Sequence, residues 1–513
     1  MSCTSAMPKM ISGVAAFACA TFMPLPLMSV PCAESPELTV AVVSDVHMRP
    51  DDPRHFYENR FRKALKFFDR MKVDAVVGCG DWIELGWYEW FRKLGEYWFE
   101  AFPENRGGDG RHVEKLFIFG DHEIENFWNP GITRVFSREY ILERDIPTYG
   151  RAKIYEETLK EQWRPIMRKS VKGYDFVMAH FTMREDDSGR ICEEGRNARW
   201  GECIPNFDEF FATNRFAADK PFFCIMHKPP KGTVISPLVS TSYDDSPTKV
   251  LAKYPNCITL CGHKHRSAMS ERNLWQGAFT CIEVPAMQNC TTDAGHENGW
   301  ASCDGYVQQT PVQQMQPITR DMRENGGECL IMKIGKSKIV VERWNVVYEE
   351  KIAGDWTIPL PNRGEASFEA RRDKSLPVAF PENAKISAYM RQGRDRAGVT
   401  NMQYVVSFPQ AASDVAHERG YDYRVTAELV KHWWRRTCCE KWVYSDRRYL
   451  PEYRDTNTVT CVFAATEIPS PFQEVVFTAT PYNSFGVPGQ PITTGTISMK
   501  AMERTKEQCT SGK

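Results

Sequence analysis

Five short stretches of this chain carry carboxylates and imidazoles in patterns that could bind metal. In chain order they are Asp45-Val46-His47, Gly80-Asp81, Gly120-Asp121-His122-Glu123, His227 and Gly262-His263-Lys264-His265. Neutral imidazole and carboxylate together suit Zn, Mn, Fe and similar ions. A glycine stands before each of Asp81, Asp121 and His263. Without a Cβ the backbone there can turn sharply and come close to an ion. Any one of these motifs is common by chance, and a lone histidine on a strand is more often a packed core residue. Five of them in order, each at the end of an apolar run, are hard to produce by packing alone.

The runs that precede them have strand character. Leu38–Val43 leads to Asp45, residues 73–79 to Gly80, 116–119 to Gly120, Phe222–Met226 to His227 and 258–261 to Gly262. Leu38–Val43 shows no polar alternation apart from Thr39, as a strand covered on both faces would. Residues 54–72 place Phe61, Leu65, Phe68 and Met71 on one helical face. Residues 87–102 give a second, aromatic-rich amphipathic helix. Tyr174–Ala179 and 279–284 continue the strands, and 329–334 with 338–347 read as a closing hairpin around Gly335-Lys336-Ser337. Strand, helix, strand in repetition predicts an α/β layered sheet. In such sheets the carboxyl ends of the strands meet at one crevice. The acids and imidazoles of all five stretches are therefore expected in one place.

Taken in order, these motifs resemble those of the calcineurin-like metallophosphoesterase superfamily, which read D-x-H, G-D, G-N-H-[DE], H and G-H-x-H. The resemblance covers roughly residues 38–356. It implies a layered β-sandwich flanked by helices with a dinuclear site at one edge. Asp45, His47 and His265 would then hold one metal, and Asp121, His227 and His263 the other, with Asp81 bridging. The metals would be two ions drawn from Mn, Fe or Zn. His122 would be the catalytic imidazole, bound to neither ion and facing the substrate. Two divalent ions about 3.5–4 Å apart clamp phosphoryl oxygens and make water available as hydroxide near neutral pH. The resemblance thus implies a hydrolase of phosphate monoesters or diesters.

Two positions depart from that pattern. The family's Asn is Asp121 here, which adds one negative charge. Two divalent ions, three carboxylates and a hydroxide sum to zero, where an Asn would leave +1. A weaker pull on a phosphate dianion follows, hence an expected preference for diesters or a trivalent ion at one position. Purple acid phosphatases carry Tyr three residues after the bridging Asp, and this chain has Glu84, which argues against that subgroup. Of the neighbouring residues, His180 is read as a core histidine or a support of the ligands. Lys228 and Lys264 flank ligands and are read as phosphate contacts or as ordinary surface lysines. Trp82, Trp87, Trp90 and Trp98 are read as helix core rather than a stacking platform. Asp186, Asp187, Glu193 and Glu194 are read as a solvated loop face.

The remaining chain frames this domain. With 65 Lys and Arg against 66 Asp and Glu, no basic excess points to nucleic acid. Residues 1–33 have one basic residue, Lys9, before an apolar run, and read as a secretory signal. A secreted or periplasmic protein is expected, with lipid attachment at Cys19 or Cys32 the weaker option, and no later segment suits a membrane span. Residues 34–356 are assigned to the phosphoesterase domain, 357–375 to a linker, 376–500 to a small all-β sandwich and 501–513 to a disordered tail. The sandwich is expected from β-type runs at 385–389, 402–408, 421–430, Thr458–Ala464 and 474–480. Its last segment, residues 475–486, resembles the final hairpin of a fibronectin type III domain. Trp433, Trp434 and Trp442 are read as its core rather than as a carbohydrate patch. Residues 184–206 and 286–328 are polar insertions. Cys192 with Cys203, and Cys290 with Cys303, are the candidate disulfides, while Cys79, Cys224, Cys261 and Cys281 are read as small buried hydrophobes. The contrasting reading is a binding or adaptor protein of the cell envelope, its metal core structural and its terminal domain the anchor.

Overall fold

The structure is a computed structural model. It describes residues 35–498 except 50–54, 85–87, 124–147, 183–203, 205, 235–244, 289, 291–295, 297–301, 304–305, 308–325, 363, 395–399, 413–419, 432–433, 446–456 and 469–473. The expected signal, the tail from 501, Trp87, Trp433, Cys192, Cys203 and the acidic residues of the first insertion lie outside the described residues. Among the described residues no helix is long and apolar enough to cross a membrane.

Strands β1 (Leu38–Val43), β2 (Ala75–Gly78) and β3 (Glu114–Phe117) run parallel, linked by α1 (Phe56–Arg70) and α2 (Tyr88–Ala101). A third helix, α3 (Thr148–Leu159), leads to a second sheet. Its strands are β4 (Ile166–Val171), β5 (Tyr174–Ala179), β6 (Phe222–Met226), β7 (Cys257–Cys261), β8 (Leu274–Gln276) and β9 (Thr280–Glu283), in the order β4-β5-β6-β7-β9-β8. Helices α4 (Phe207–Thr213) and α5 (Asp245–Leu251) lie in its connections. A small pair, β10 (Ser302–Cys303) and β11 (Tyr306–Val307), falls in the second insertion. The chain then returns to the first sheet with β12 (Glu328–Ile334), β13 (Lys338–Asn345), β14 (Glu350–Lys351) and β15 (Trp356–Pro359), giving the order β14-β13-β12-β1-β2-β3 with β15 also on β13.

Alternating residues of the strands feed two different cores. Leu38, Val40 and Val42 of β1 pack with Phe176, Met178, Phe223, Ile225, Ile258 and Leu260 between the two sheets. Ala41 and Val43 pack outward with Phe61, Leu65 and Phe68 of α1, Trp98 of α2 and Tyr155 of α3. The outer face of the second sheet is covered by Phe207, Phe211, Val250 and Leu251 of α4 and α5. Both sheets are thus covered on both faces, which is why their parallel strands lack polar alternation. Helix, sheet, sheet, helix is the layered α/β architecture expected from the sequence.

Residues 357–375, expected as a linker, carry structure that ties the halves together. β15 pairs with β13, and helix α6 (Phe368–Arg372) is capped by Ser367, whose hydroxyl accepts from Ala370 N at 3.2 Å. Buried Glu271 gathers Arg343 at 2.8 Å, Arg371, and the Trp356 indole at 2.7 Å, so its charge is fully paired. Beyond it stand two antiparallel sheets. One is β16 (Ser387–Arg394), β17 (Thr400–Pro409) and, after β18 (Asp422–Lys431) and β19 (Trp434–Tyr444), β20 (Thr458–Ala464). The other runs β19-β18-β21-β22, with β21 (Glu474–Tyr482), β22 (Ile492–Thr493) and β23 (Ile497–Ser498) also on β21. Val406, Phe408, Tyr423, Val425, Phe463 and Phe477 fill the space between them, as the expected small sandwich requires. Cys290 is buried and its thiol donates to Ala286 O at 3.3 Å, so it does not form the expected bridge to Cys303. Cys79, Cys224, Cys261 and Cys281 are buried thiols, as read from the sequence.

Candidate metal centre

The parallel strands deliver the ligands. Asp45 and His47 follow β1, Asp81 follows β2, Asp121 follows β3, His227 follows β6, and His263 and His265 follow β7. The backbone there is bent far from strand geometry. Asp45, His47, Asp81, His263 and His265 all have positive φ, at 54, 49, 56, 76 and 53°. Left-handed backbone at a non-glycine residue costs on the order of 1–3 kcal/mol, and it persists where the surroundings over-determine it. The surroundings do so here. Asp45 N donates to Gly80 O at 3.1 Å, and Val46 N and His47 N both donate to Asp81 O at 2.8 and 2.9 Å. The glycines are needed for approach. A Cβ on Gly120 would lie 2.2 Å from Asp81 Oδ1, and one on Gly262 would lie 1.8 Å from Ser44 Oγ.

All seven residues assigned as ligands come together, in two groups that share Asp81. Asp45, His47, Asp81 and His265 form one, and Asp81, Asp121, His227 and His263 the other, with the donor atoms of each group within 4.8 Å of one another. Asp81 Oδ2 is 3.6 Å from His47 Nε2 and 3.1 Å from His227 Nε2, while Oδ1 accepts from His122 N at 3.0 Å.

The hydrogen bonds of the imidazoles show what the groups are built to hold. His227 Nδ1 donates to Cys79 O at 2.7 Å, and His265 Nδ1 donates to Gln288 O at 3.1 Å. A carbonyl only accepts, so both rings carry their proton on Nδ1 and turn a lone pair inward through Nε2. His47 is fixed in the same sense, with Nδ1 donating to Glu84 Oε2 at 2.8 Å. The inward atoms are crowded: His47 Nε2 lies 3.1 Å from His265 Nε2, and His227 Nε2 lies 2.7 Å from Asp121 Oδ1. The buried His227 Nε2 and Asp121 Oδ1 have no hydrogen-bond partner. Lone pairs facing lone pairs and carboxylates, away from water, repel unless a proton or a metal cation lies among them. The donor set of nitrogen and oxygen atoms fits two transition-metal ions.

Without an ion, the carboxylates draw protons onto the rings instead. Burial opposes charge on Asp45, yet His265 and His47 hold its carboxyl well below the usual range. Burial likewise opposes charge on the His227 ring, but Asp81 and Asp121 push it well above its ordinary value. For His263 burial wins over Asp121, and the ring falls to about 4.

Two acids that sequence reasoning did not assign complete the centre. Glu84 accepts from His47 and lies 3.5 Å from His122 Nδ1, so one carboxylate orients both a ligand and the imidazole assigned to catalysis. The sequence signal was its place three residues after Asp81, read only as the loss of a tyrosine. Glu123 accepts from the backbone N–H groups of Asp81, Trp82, Ile83 and Gly120 at 3.0, 2.6, 3.1 and 2.6 Å. It thereby fixes the loops after β2 and β3 to each other. Burial, and then Asp81, raise its carboxyl to about 7.

His180 lies in the core beside this centre: Phe119 N and Trp163 Nε1 donate to its Nδ1 at 3.1 and 3.2 Å. Trp82, Trp90 and Trp98 are buried. Lys228 is 1% exposed with Nζ 3.3 Å from Asp121 Oδ2, which removes it from the surface lysines.

With the geometry in view, the comparisons identify the class. The calcineurin-like phosphoesterase family model matches residues 38–267, and the layered sheets have the metallophosphoesterase fold. No curated protein matches the chain. Among solved structures, a dimetal phosphatase from Danio rerio is 14% identical, with 63% of this chain and 99% of that one covered and a TM-score of 0.36. A purple acid phosphatase from yellow lupin seeds is 15% identical, covering 63% and 53%, with a TM-score of 0.35. The anchor protein GAP50 of the Plasmodium inner membrane complex is 10% identical, covering 64% and 89%, with a TM-score of 0.33.

Proposed function

We propose that the chain is a metal-dependent hydrolase of phosphate esters. Asp45, His47 and His265 would hold one ion, Asp121, His227 and His263 would hold the other, and Asp81 would serve both. The observation that carries this reading is the convergence of inward lone pairs from His47, His227 and His265 on three carboxylates. When bound, two divalent ions supply Lewis-acid polarisation of the phosphoryl oxygens and a lowered pKa for attacking water. The protein residues do the rest. His122 has a side chain 23% exposed, at the mouth of the centre, and its Nδ1 is directed to Glu84. Its Nε2 is then the atom that donates a proton to the leaving oxygen. Glu84 favours the protonated ring and fixes its plane. The ring of His122 meets that of His47 edge-on at 4.5 Å, which holds it beside the ligands.

Metal analysis of the purified protein, with hydrolysis of nitrophenyl phosphate mono- and diesters before and after chelation, tests this. Two ions per chain and activity restored by Mn²⁺, Fe²⁺ or Zn²⁺ are expected. A chain that binds none of them, or binds them without hydrolysis, overturns the reading. We also propose export through residues 1–33 and a fibronectin type III-like character for the C-terminal sandwich. The three-stranded and larger antiparallel sheets support the latter.

A further inference from the structure

We propose that Lys228 and Asp121 act together as one net-neutral oxygen ligand, so that the lysine cancels the charge Asp121 adds to the metal centre. The two oxygens of Asp121 face different partners. Oδ1 lies 2.7 Å from His227 Nε2 and 3.3 Å from His263 Nδ1, inside the ligand group. Oδ2 lies 3.3 Å from Lys228 Nζ. An asparagine would offer one carbonyl oxygen inward and an uncharged amide outward. Here one carboxylate oxygen is offered inward, and an ammonium neutralises the other.

Position in the fold makes this pairing unavoidable. Lys228 directly follows the ligand His227 at the end of β6, so the same strand end delivers both the imidazole and the cation. The lysine is 1% exposed, and its Nζ lies 5.0 Å from the centre of the Phe181 ring. A buried ammonium persists only beside a carboxylate or comparable partner. With Lys228 counted, the ligand set carries the charge of two carboxylates rather than three. That is the charge an asparagine at position 121 would give. The expected diester preference and the trivalent ion both rested on an uncompensated Asp121, and this compensation removes their electrostatic reason.

The inference rests on the dinuclear reading above, and the experiment separates the two. Wild type, D121N, K228Q, K228R and D121N/K228Q are stripped of metal, their thermal unfolding is measured, and each is titrated calorimetrically with Mn²⁺ alone. D121N takes from the buried ammonium the carboxylate 3.3 Å away and removes one ligand charge. Its metal-free melting temperature should fall, and it should bind one Mn²⁺ at least about tenfold more weakly. The double variant should regain most of both losses. K228Q should bind Mn²⁺ at least as tightly as wild type but bind inorganic phosphate, titrated into the loaded protein, severalfold more weakly. K228R should behave as wild type. A double variant no better than D121N in either melting or Mn²⁺ affinity overturns the pairing. So does a K228Q variant that folds and loses Mn²⁺ affinity as D121N does. Wild type that fails to take up two Mn²⁺ overturns the dinuclear reading and the pairing with it.

Discussion

The phosphoesterase module and the C-terminal sandwich are built from strands that bury alternate residues in the same way, and they differ at the strand ends. In the first module the carboxyl ends of β1, β2 and β7 carry five non-glycine residues with positive φ. The ends of β1, β2, β3 and β6 hold buried Asp45, Asp81, Asp121 and His227. In the sandwich, among the described residues of 376–498, only Asn383 and Gly486 have positive φ. Its buried Lys441 is paired with Glu467 at 2.9 Å. Buried carboxylates and imidazoles gather at the strand ends of the first module, whereas the core of the sandwich is apolar. The difference is functional rather than architectural, and it can be pressed from both sides.

The sharpest attack on the first region is Asp81→Ala. Asp81 belongs to both ligand groups and its Oδ1 holds His122 N. Hydrolysis should fall by about a thousandfold or more, because the ions supply several kcal/mol to the transition state, and metal content should drop below two per chain. Full metal content with undiminished turnover would remove the bridge from the reading. The corresponding attack on the second region is Phe477→Ala, in the middle of the sandwich core. It should cost about 3–5 kcal/mol of stability in denaturant melts. Turnover of the protein that remains folded should be unchanged, since no residue of the sandwich belongs to the ligand groups. A selective loss of turnover would show the two regions to be coupled.

A smaller change tests Glu84. Glu84→Gln removes the charge that orients His47 and His122 while keeping the shape. Carboxylates that orient metal-bound histidines are typically worth about 10–100-fold in affinity or activity. A loss of that size in kcat, with the melting temperature nearly constant, is expected. An effect confined to stability would make Glu84 a packing residue only.

The sequence disclosed the metal centre more fully than its support. The convergence of the seven residues was legible because each follows a short apolar run, and parallel strands place such ends together. Glu84 and Lys228 were visible as residues, but their roles depend on distances across the chain, 2.8 Å to His47 and 3.3 Å to Asp121. No spacing encodes those. The elements missed as strands were edges. β4, Ile-Met-Arg-Lys-Ser-Val, and β19, with Arg435, Arg436, Glu440 and Lys441, each pair on one side only. Charged side chains on such strands protect an open edge and hide the apolar pattern. The assigned boundary between residues 34–356 and 357–375 falls inside β15, an outer strand in which Pro359 is tolerated.

The smallest expected effect concerns the border of the centre. His180 packs against Phe119, two residues before Asp121, and accepts from Phe119 N and Trp163 Nε1. Burial, and then Lys169, depress its ring to about 3 from an ordinary 6.5. The folded chain therefore keeps His180 neutral at a pH where the unfolded chain has protonated it. Between pH 6.5 and about 3 the unfolded state binds the extra proton, so stability falls as the pH falls, by at most about 1.4 kcal/mol per unit. Above 6.5 the contribution is constant. His180→Asn keeps an acceptor near the position of Nδ1 but does not titrate in this range. Thermal melts of the metal-free protein from pH 7 to 4.5 should show a shallower acid decline for this variant than for wild type. Equal slopes would mean that the ring gains a proton in the folded chain as readily as in the unfolded one, and that the border of the centre is wetter than its burial implies.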